Sequence, residues 1–199
     1  MAEALLKGWN APAVVSSVAI DGQDARVESA DNAAVTDLAR DGGVLRWNEL
    51  DNALPLPLLQ DNATTAMLLE LTDIEQALNQ EPLRVTGLEP GKYSLTIDGQ
   101  DIGQFSEPQL EAGINLADYN TPMRFQAQQV SWIVRDLVES HYIHLRMRVR
   151  RADTGAEEGA DRMQAFEDSL EDTIYAQAAP VPHKFELRQT ETPTAQGAE

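Results

Sequence analysis

Leu83-Arg84-Val85-Thr86-Gly87-Leu88-Glu89-Pro90-Gly91-Lys92-Tyr93-Ser94-Leu95-Thr96-Ile97-Asp98-Gly99 reads as two short strands and two turns. Leu83 with Val85, and Tyr93 with Leu95 and Ile97, recur at period two, the spacing of a strand with one buried face. Glu89-Pro90-Gly91-Lys92 between them is a turn with a mechanism, since Pro presets φ and Gly supplies positive φ. Asp98-Gly99 then reverses the chain into Ile102-Gly103-Gln104-Phe105. Three strands in succession with tight turns predict a β-meander.

Upstream, the β-branched stretch 13–20 ends at the turn Asp21-Gly22-Gln23-Asp24, and residues 25–30 form the return strand of a hairpin. Residues 32–38 are a further short strand, Asp41-Gly42-Gly43 a turn, and 44–50 a strand apolar enough to pack. Leu54-Pro55-Leu56-Pro57-Leu58 is expected as an extended edge segment, because Pro donates no ladder hydrogen bond. Residues 64–71 are ambiguous between buried strand and helix. A short helix follows over 72–79, with Thr72 as cap and Glu75 completing a capping box.

Downstream, Ser106 caps a short helix, and from Thr121-Pro122-Met123 the period becomes helical. Val130, Ile133, Val134, Leu137, Val138 and Tyr142 form one predicted apolar stripe on a helix reaching about residue 148. Asp153-Thr154-Gly155 breaks it, and 161–178 is a second amphipathic helix with Met163, Phe166, Leu170 and Ile174 on its apolar face. The tail is Thr-, Pro- and Gln-rich and reads as flexible. Strands first and helices last predict an α+β fold, an antiparallel β-sandwich-like region followed by long C-terminal helices. The expected divisions are a terminal helix over 1–11, a β-rich domain over 12–120, a helical region over 121–180 and a flexible tail over 181–199.

The 199 residues carry 33 acids against 15 bases, a net charge of −18. That balance argues against nucleic acid, whose phosphates need a basic footprint, and against anionic membrane surfaces. With no cysteine, disulfides, thiolate nucleophiles and cysteine zinc sites are excluded. No apolar run approaches transmembrane length. The chain reads as soluble, extracytoplasmic if a signal peptide lies upstream of Met1.

Chemistry is sparse. No glycine-rich phosphate loop and no Gly-x-Ser-x-Gly elbow occurs. His141 and His144 stand at i, i+3 on the long helix, with Asp136 and Glu139 nearby, a spacing that points two imidazoles toward one metal. A third ligand would have to come from elsewhere, so surface or interface histidines are the plainer reading. Asp98, Asp101 and Glu107 cluster around one turn, where carboxylates serve acid–base work, calcium or simply turn formation. Arg146, Arg148, Arg150 and Arg151 suggest an anion patch, but Asp153, Glu157, Glu158 and Asp161 follow at once. No catalytic, cofactor-binding or metal residue is assigned, and no cofactor is expected.

The opening Ala2-Glu3-Ala4-Leu5-Leu6-Lys7-Gly8-Trp9 reads as a two-turn helix too short to be stable alone, so it needs a docking partner. Residues 1–16 resemble the stretch that ends the catalytic domain in a bacterial group of SGNH/GDSL-type hydrolases. Residues 82–88 with 91–99, then Ala112-Gly113-Ile114-Asn115-Leu116, Thr121-Pro122-Met123 with Gln126-Ala127, and His141 with Ile143-His144 and Arg146 continue the likeness over residues 1–148. The resemblance implies a serine esterase chemistry built on a Gly-Asp-Ser nucleophile block, oxyanion donors and an Asp-x-x-His base block. Neither block occurs in this chain. The chain is therefore expected to be an accessory, non-catalytic region with an upstream SGNH catalytic domain as partner, Met1 being an internal methionine. Carbohydrate is a second partner class, with Trp9, Trp47, Tyr93 and Trp132 as the stacking residues to test, although core is the plainer role for each. Two alternatives stand beside it: a self-sufficient hydrolase with an unrecognised site such as His141 and His144 with an acid, and a stand-alone interaction protein using its two long helices.

Overall fold

The computed structural model describes residues 2–58, 67, 71–149 and 157–191. Its elements are α1 (Ala2–Gly8), β1 (Ser17–Asp21), β2 (Arg26–Asp31), β3 (Ala33–Asp41), β4 (Val44–Asp51), α2 (Ile74–Leu78), β5 (Pro82–Thr86), β6 (Lys92–Ile97), β7 (Gln100–Ser106), α3 (Glu107–Ala112), β8 (Ile114–Asn115), α4 (Pro122–Val149), α5 (Glu157–Ala178) and β9 (His183–Glu191). The fold is α+β. The chain divides into two compact units, Met1–Arg124 with Pro180–Glu199, and Phe125–Ala179.

The first unit holds two sheets. One has the order β2-β1-β5-β8 and the other β3-β4-β9-β6-β7. Among the named strands of the described residues the pairings are antiparallel except β1 with β5. A single apolar cluster takes Val18, Ile20, Leu83 and Val85 from the first sheet and Leu45, Trp47, Leu95, Ile97, Phe105, Phe185 and Leu187 from the second. The alternation of buried positions in β4, β5 and β6 is what the period-two pattern demands. Trp47 stacks on Phe185 with ring centroids 5.0 Å apart, on neighbouring strands and the same face.

Several expectations are revised. The meander is shorter than anticipated: β6 and β7 form a hairpin across Asp98-Gly99, but β5 pairs with β1 in the other sheet. Gly87, at φ 65, is the first residue beyond β5, and the segment around Glu89-Pro90-Gly91 carries the chain from one sheet to the other. The place beside β6 belongs to β9. Residues 183–191, expected as part of a flexible tail, are the middle strand of the five-stranded sheet. Their Phe185 and Leu187 are core residues, and that burial outweighs the polar composition. Residues 54–58 run extended without sheet pairing; the side chain of Asn79 holds them, accepting from Leu56 N at 2.7 Å. Thr72 is not the cap of α2. Asp73 is, without a side-chain bond. The segment 64–71, apart from Met67 and Leu71, the turn 153–155 and residues 192–199 lie outside the described residues.

Local sequence rules hold elsewhere. Gln109 Oε1 accepts from both Ser106 N and Ser106 Oγ at 2.9 Å at the start of α3. Thr121 Oγ1 accepts from Arg124 N at 3.2 Å at the start of α4, with Pro122 at the first helical position. Lys7 on α1 pairs with Asp73 at 2.7 Å.

In the second unit α4 and α5 run antiparallel. The side that α4 buries or half-buries comprises Gln126, Val130, Ile133, Leu137, Ser140 and His144, alternately four and three residues apart. On α5 it comprises Met163, Glu167, Leu170 and Ile174. This is a heptad seam. The single stripe expected on α4 therefore splits: Val130, Ile133 and Leu137 belong to the seam, whereas Val134, Val138 and Tyr142 are exposed. Phe166, expected on the apolar face of α5, is likewise exposed, and Glu167 takes the buried position beside it. No helix among the described residues is long and apolar enough to cross a membrane.

Candidate functional site

The apolar interior of the sandwich gives way at one end to a buried polar layer. In β4 the inward positions run Leu45, Trp47, Glu49, Asp51, and on β9 they run Leu187, Phe185, His183. The register pairs Leu45 with Leu187, Trp47 with Phe185 and Glu49 with His183. Two rungs of hydrophobic contact are thus followed by an acid facing a histidine. The other sheet changes in step. Ser16 precedes the inward Val18 and Ile20 by the strand period, and Glu81 precedes Leu83 and Val85. Ser16, Glu49, Asp51, Glu81 and His183 are all buried.

Burial governs the electrostatics of this layer. It pushes Glu81 up to about 8, and the charges of Asp51 and Glu49 add to the rise. Burial likewise raises Glu49, with Asp51 repelling its charge, against the Trp47 indole N–H that donates to Glu49 Oε2 at 2.8 Å. Asp51 is raised by burial too, against the bond from Ser16 and the nearby His183. Adjacent carboxyls in low dielectric cannot all ionise, so the layer stores protons near neutrality.

His183 is held from the β6–β7 turn. Its Nδ1 lies 2.7 Å from Asp98 Oδ2, and Asp98 Oδ1 accepts from Lys184 N at 2.8 Å. Asp98 itself, at φ 51, begins a two-residue turn whose residues both have positive φ. Burial works against its charge, but the Lys184 N–H and the His183 ring hold its carboxyl below the usual range. The His183 Nε2 is buried and without a hydrogen-bond partner among the described residues, as are Asp51 Oδ1 and both Glu81 oxygens. An aspartate-oriented imidazole with a free Nε2 is half of an acyl-transfer triad. The other half is absent among the described residues: the Ser16 hydroxyl bonds to Asp51. On the outer face of the same sheet lies a groove of about 790 Å³ bordered by Arg46, Asn48, Thr96 and Lys184. Within it Arg46 pairs with Glu186 at 2.8 Å and the Asn48 amide donates to Asp37 at 2.7 Å.

The sequence candidates separate accordingly. His141 and His144 do converge, on Glu167 of α5 rather than on Glu139 or Asp136. His144 Nδ1 lies 3.2 and 3.1 Å from the two Glu167 oxygens, His141 Nδ1 lies 3.3 Å from Oε2, and Ser140 Oγ donates at 3.4 Å. Both rings spend the same nitrogen on the carboxylate. Among the described residues no group of three such side chains is arranged to hold a metal ion. Of Asp98, Asp101 and Glu107, only Asp98 reaches the polar layer; Asp101 accepts from Ser94 Oγ at 3.4 Å and Glu107 sits in the first turn of α3. Arg146 lies over the Tyr142 ring at 5.3 Å, and Arg150 and Arg151 fall outside the described residues. Trp47 and Tyr93 are core, while Trp9 and Trp132 are exposed. Sequence reading missed Ser16, Glu49, Asp51 and Glu81. Their signal was the strand period, which puts Glu49 and Asp51 on the same face as Leu45 and Trp47.

No family profile and no curated protein matches the sequence. Among solved structures, a gut microbial diltiazem-metabolizing enzyme shares the fold, with a TM-score of 0.77 at 22% identity over 94% of this chain. The chain spans 52% of that enzyme's length.

Proposed function

We propose that this chain is the accessory region of a hydrolase resembling the bacterial SGNH/GDSL esterases, without acyl-transfer chemistry of its own. Its work is to complete the fold beside a catalytic domain, shape substrate access and offer a surface to a ligand or partner. The observation that carries this reading is the fold likeness to an enzyme of which the chain spans only 52%. The absent Gly-Asp-Ser and Asp-x-x-His blocks and the burial of His183, whose Nε2 meets no hydroxyl among the described residues, support it. Exposed Trp9 and Trp132 keep carbohydrate as a ligand class to test.

The decisive assay is hydrolysis of p-nitrophenyl acetate by the full 199-residue chain. Turnover at the buffer rate is expected. Turnover that disappears in a folded Ser16→Ala or His183→Ala variant would establish the second reading, a self-sufficient hydrolase, which the Asp98–His183 pair with its unpartnered Nε2 favours. In-frame coding sequence ahead of Met1 is the independent check. The proposal expects a Gly-Asp-Ser and an Asp-x-x-His there, and coding sequence without them overturns it.

A further inference from the structure

The groove on the outer face of the five-stranded sheet is laid out by the strand register. Arg46 stands opposite Glu186, and Glu186 opposite Thr96, so one row of side chains crosses β4, β9 and β6. In the next row Asn48 stands opposite Lys184, and Asp98 N donates to the Lys184 carbonyl at 2.8 Å. Asp37 extends this second row onto β3. It lies in the irregularity between Thr36 and Ala39, at φ 54, and accepts from the Asn48 amide at 2.7 Å. A bulge re-aims the side chain it carries, and here it brings a carboxylate into the groove. The enclosed volume of about 790 Å³ is that of a small-ligand site.

The groups that the rows leave unused select the ligand. Both Asp98 oxygens are taken, by His183 and by Lys184 N. Both Glu186 oxygens are taken too, by Arg46 and Arg188. Unused among the described residues are the Lys184 ammonium, the outer nitrogens of Arg46, the Thr96 hydroxyl, the Asn48 amide oxygen and one oxygen of Asp37. Free donors and free acceptors therefore stand side by side, on strands about 4.8 Å apart.

This array works against most ligand classes. An anion meets Asp37, Asp98 and Glu186 as well as the −18 of the chain, while a cation meets Arg46 and Lys184. A flat apolar ligand finds no ring to cover, because Trp47 and Phe185 are each 2% exposed. A peptide needs an open strand edge or pockets for its side chains, and β4 and β9 are paired on both sides. A neutral ligand dense in hydroxyl groups suits the groove, since each hydroxyl both donates and accepts. The methylene stems of Arg46 and Lys184 give its C–H faces apolar contact. We propose that this groove binds a neutral oligosaccharide, its hydroxyls bridging Lys184 and Asn48 in one row and Arg46 and Thr96 in the other. Such a site is the ligand surface of the accessory region, on which reading it rests, and it places the sugar on the sheet rather than at Trp9 or Trp132.

The test applies the fluorescein-labelled full chain to an array of neutral, uronic-acid-bearing and sialic-acid-bearing oligosaccharides. The best-bound sugar is then titrated in solution by calorimetry. Binding to neutral members is expected. Lys184→Ala should weaken it about tenfold or more and Thr96→Val several-fold, while Trp9→Ala and Trp132→Ala leave it unchanged. Lys184 is exposed and Thr96→Val removes only a hydroxyl from a strand, so circular dichroism and melting temperature should stay at wild-type values. Failure to bind any neutral member, or binding confined to the acidic ones, would overturn the proposal. So would an affinity untouched by both groove variants, or one lost in Trp9→Ala or Trp132→Ala. Ester hydrolysis and the coding sequence ahead of Met1 test the accessory reading separately: a chain that binds no sugar can still follow a Gly-Asp-Ser domain, and one that binds sugar can lack it.

Discussion

Glu81 has both carboxyl oxygens buried and unpartnered, and its proton is retained to about pH 8. In an unfolded chain the same carboxyl ionises near 4.3. Between those values the folded protein binds more protons than the unfolded one, so stability falls as pH rises. The stabilising contribution is complete below the ordinary carboxylate range and is lost as pH climbs through the folded value. Glu49 and Asp51 are shifted upward by the same burial and act in the same direction. One such group contributes a slope of about 1.4 kcal/mol per pH unit at most. Melting temperature is therefore expected to decline from pH 5 to pH 8. Glu81→Gln, which keeps the shape and removes the charge, should flatten that decline and melt a few degrees above wild type at pH 8. Parallel pH profiles for the two proteins would refute the proton-storing layer. The histidines of the hairpin make a second contrast. His144 is buried against Glu167, and His141 touches the same carboxylate from a 58% exposed position. His144→Ala removes the buried imidazole partner of Glu167, leaving it Ser140 and the exposed His141, and should cost about 2–3 kcal/mol. His141→Ala should stay within about 0.5 kcal/mol, as read by urea denaturation.

At the scale of elements, β9 shows what sequence patterning can and cannot convey. His183, Phe185 and Leu187 alternate with Lys184, Glu186 and Arg188, a half-buried strand by its period. The neighbouring Thr-, Pro- and Gln-rich residues mask that short signal in any reading by composition. The β6–β7 hairpin was legible because Asp98-Gly99 is a turn whose geometry is local. The placement of β5 was not, since Glu89-Pro90-Gly91 fits a hairpin as well as a crossing between sheets, and parallel pairing with β1 is a long-range choice. The polar layer was hidden for a related reason: the reading of 44–50 as a packing strand gave no face to Glu49 or Asp51, and only the partner strand shows which face is inside. The seam of α4 repeats the lesson, because Val134 and Val138 sit one residue past seam positions and stay exposed. Leu187→Ala should accordingly cost about 3 kcal/mol, whereas Val138→Ala should change stability by less than about 0.5 kcal/mol. Similar losses at both positions in chemical denaturation would contradict this assignment of core and surface. Gly87 offers a backbone test: at φ 65, an added Cβ would lie 3.0 Å from Asp21 Oδ1 and 3.1 Å from Gln23 Cβ. Gly87→Ala should therefore lower the melting temperature although it adds only a methyl group.

The molecule as a whole carries −18 charges on 199 residues, and self-repulsion is one of the terms its sandwich must overcome. Screening shortens the reach of that repulsion to about 8 Å at physiological ionic strength. Melting temperature should therefore rise by several degrees between 10 mM and 300 mM sodium chloride at pH 7. A flat or falling salt profile would mean that favourable ion pairs such as Lys7–Asp73 and Arg46–Glu186 outweigh the net charge. The five-stranded sheet also has a history imposed by chain order. Its middle strand meets β4 through contacts such as Arg46 with Glu186, 140 positions apart, and the whole helical hairpin is synthesised in the interval. During translation the β3–β4 and β6–β7 hairpins exist with bare edges until residues 183–191 emerge and close the gap. Long-range closure of this kind is slow and leaves pairing edges open to other chains. The protein's greatest vulnerability to aggregation should thus come on the ribosome and in early refolding, before its last described strand has arrived.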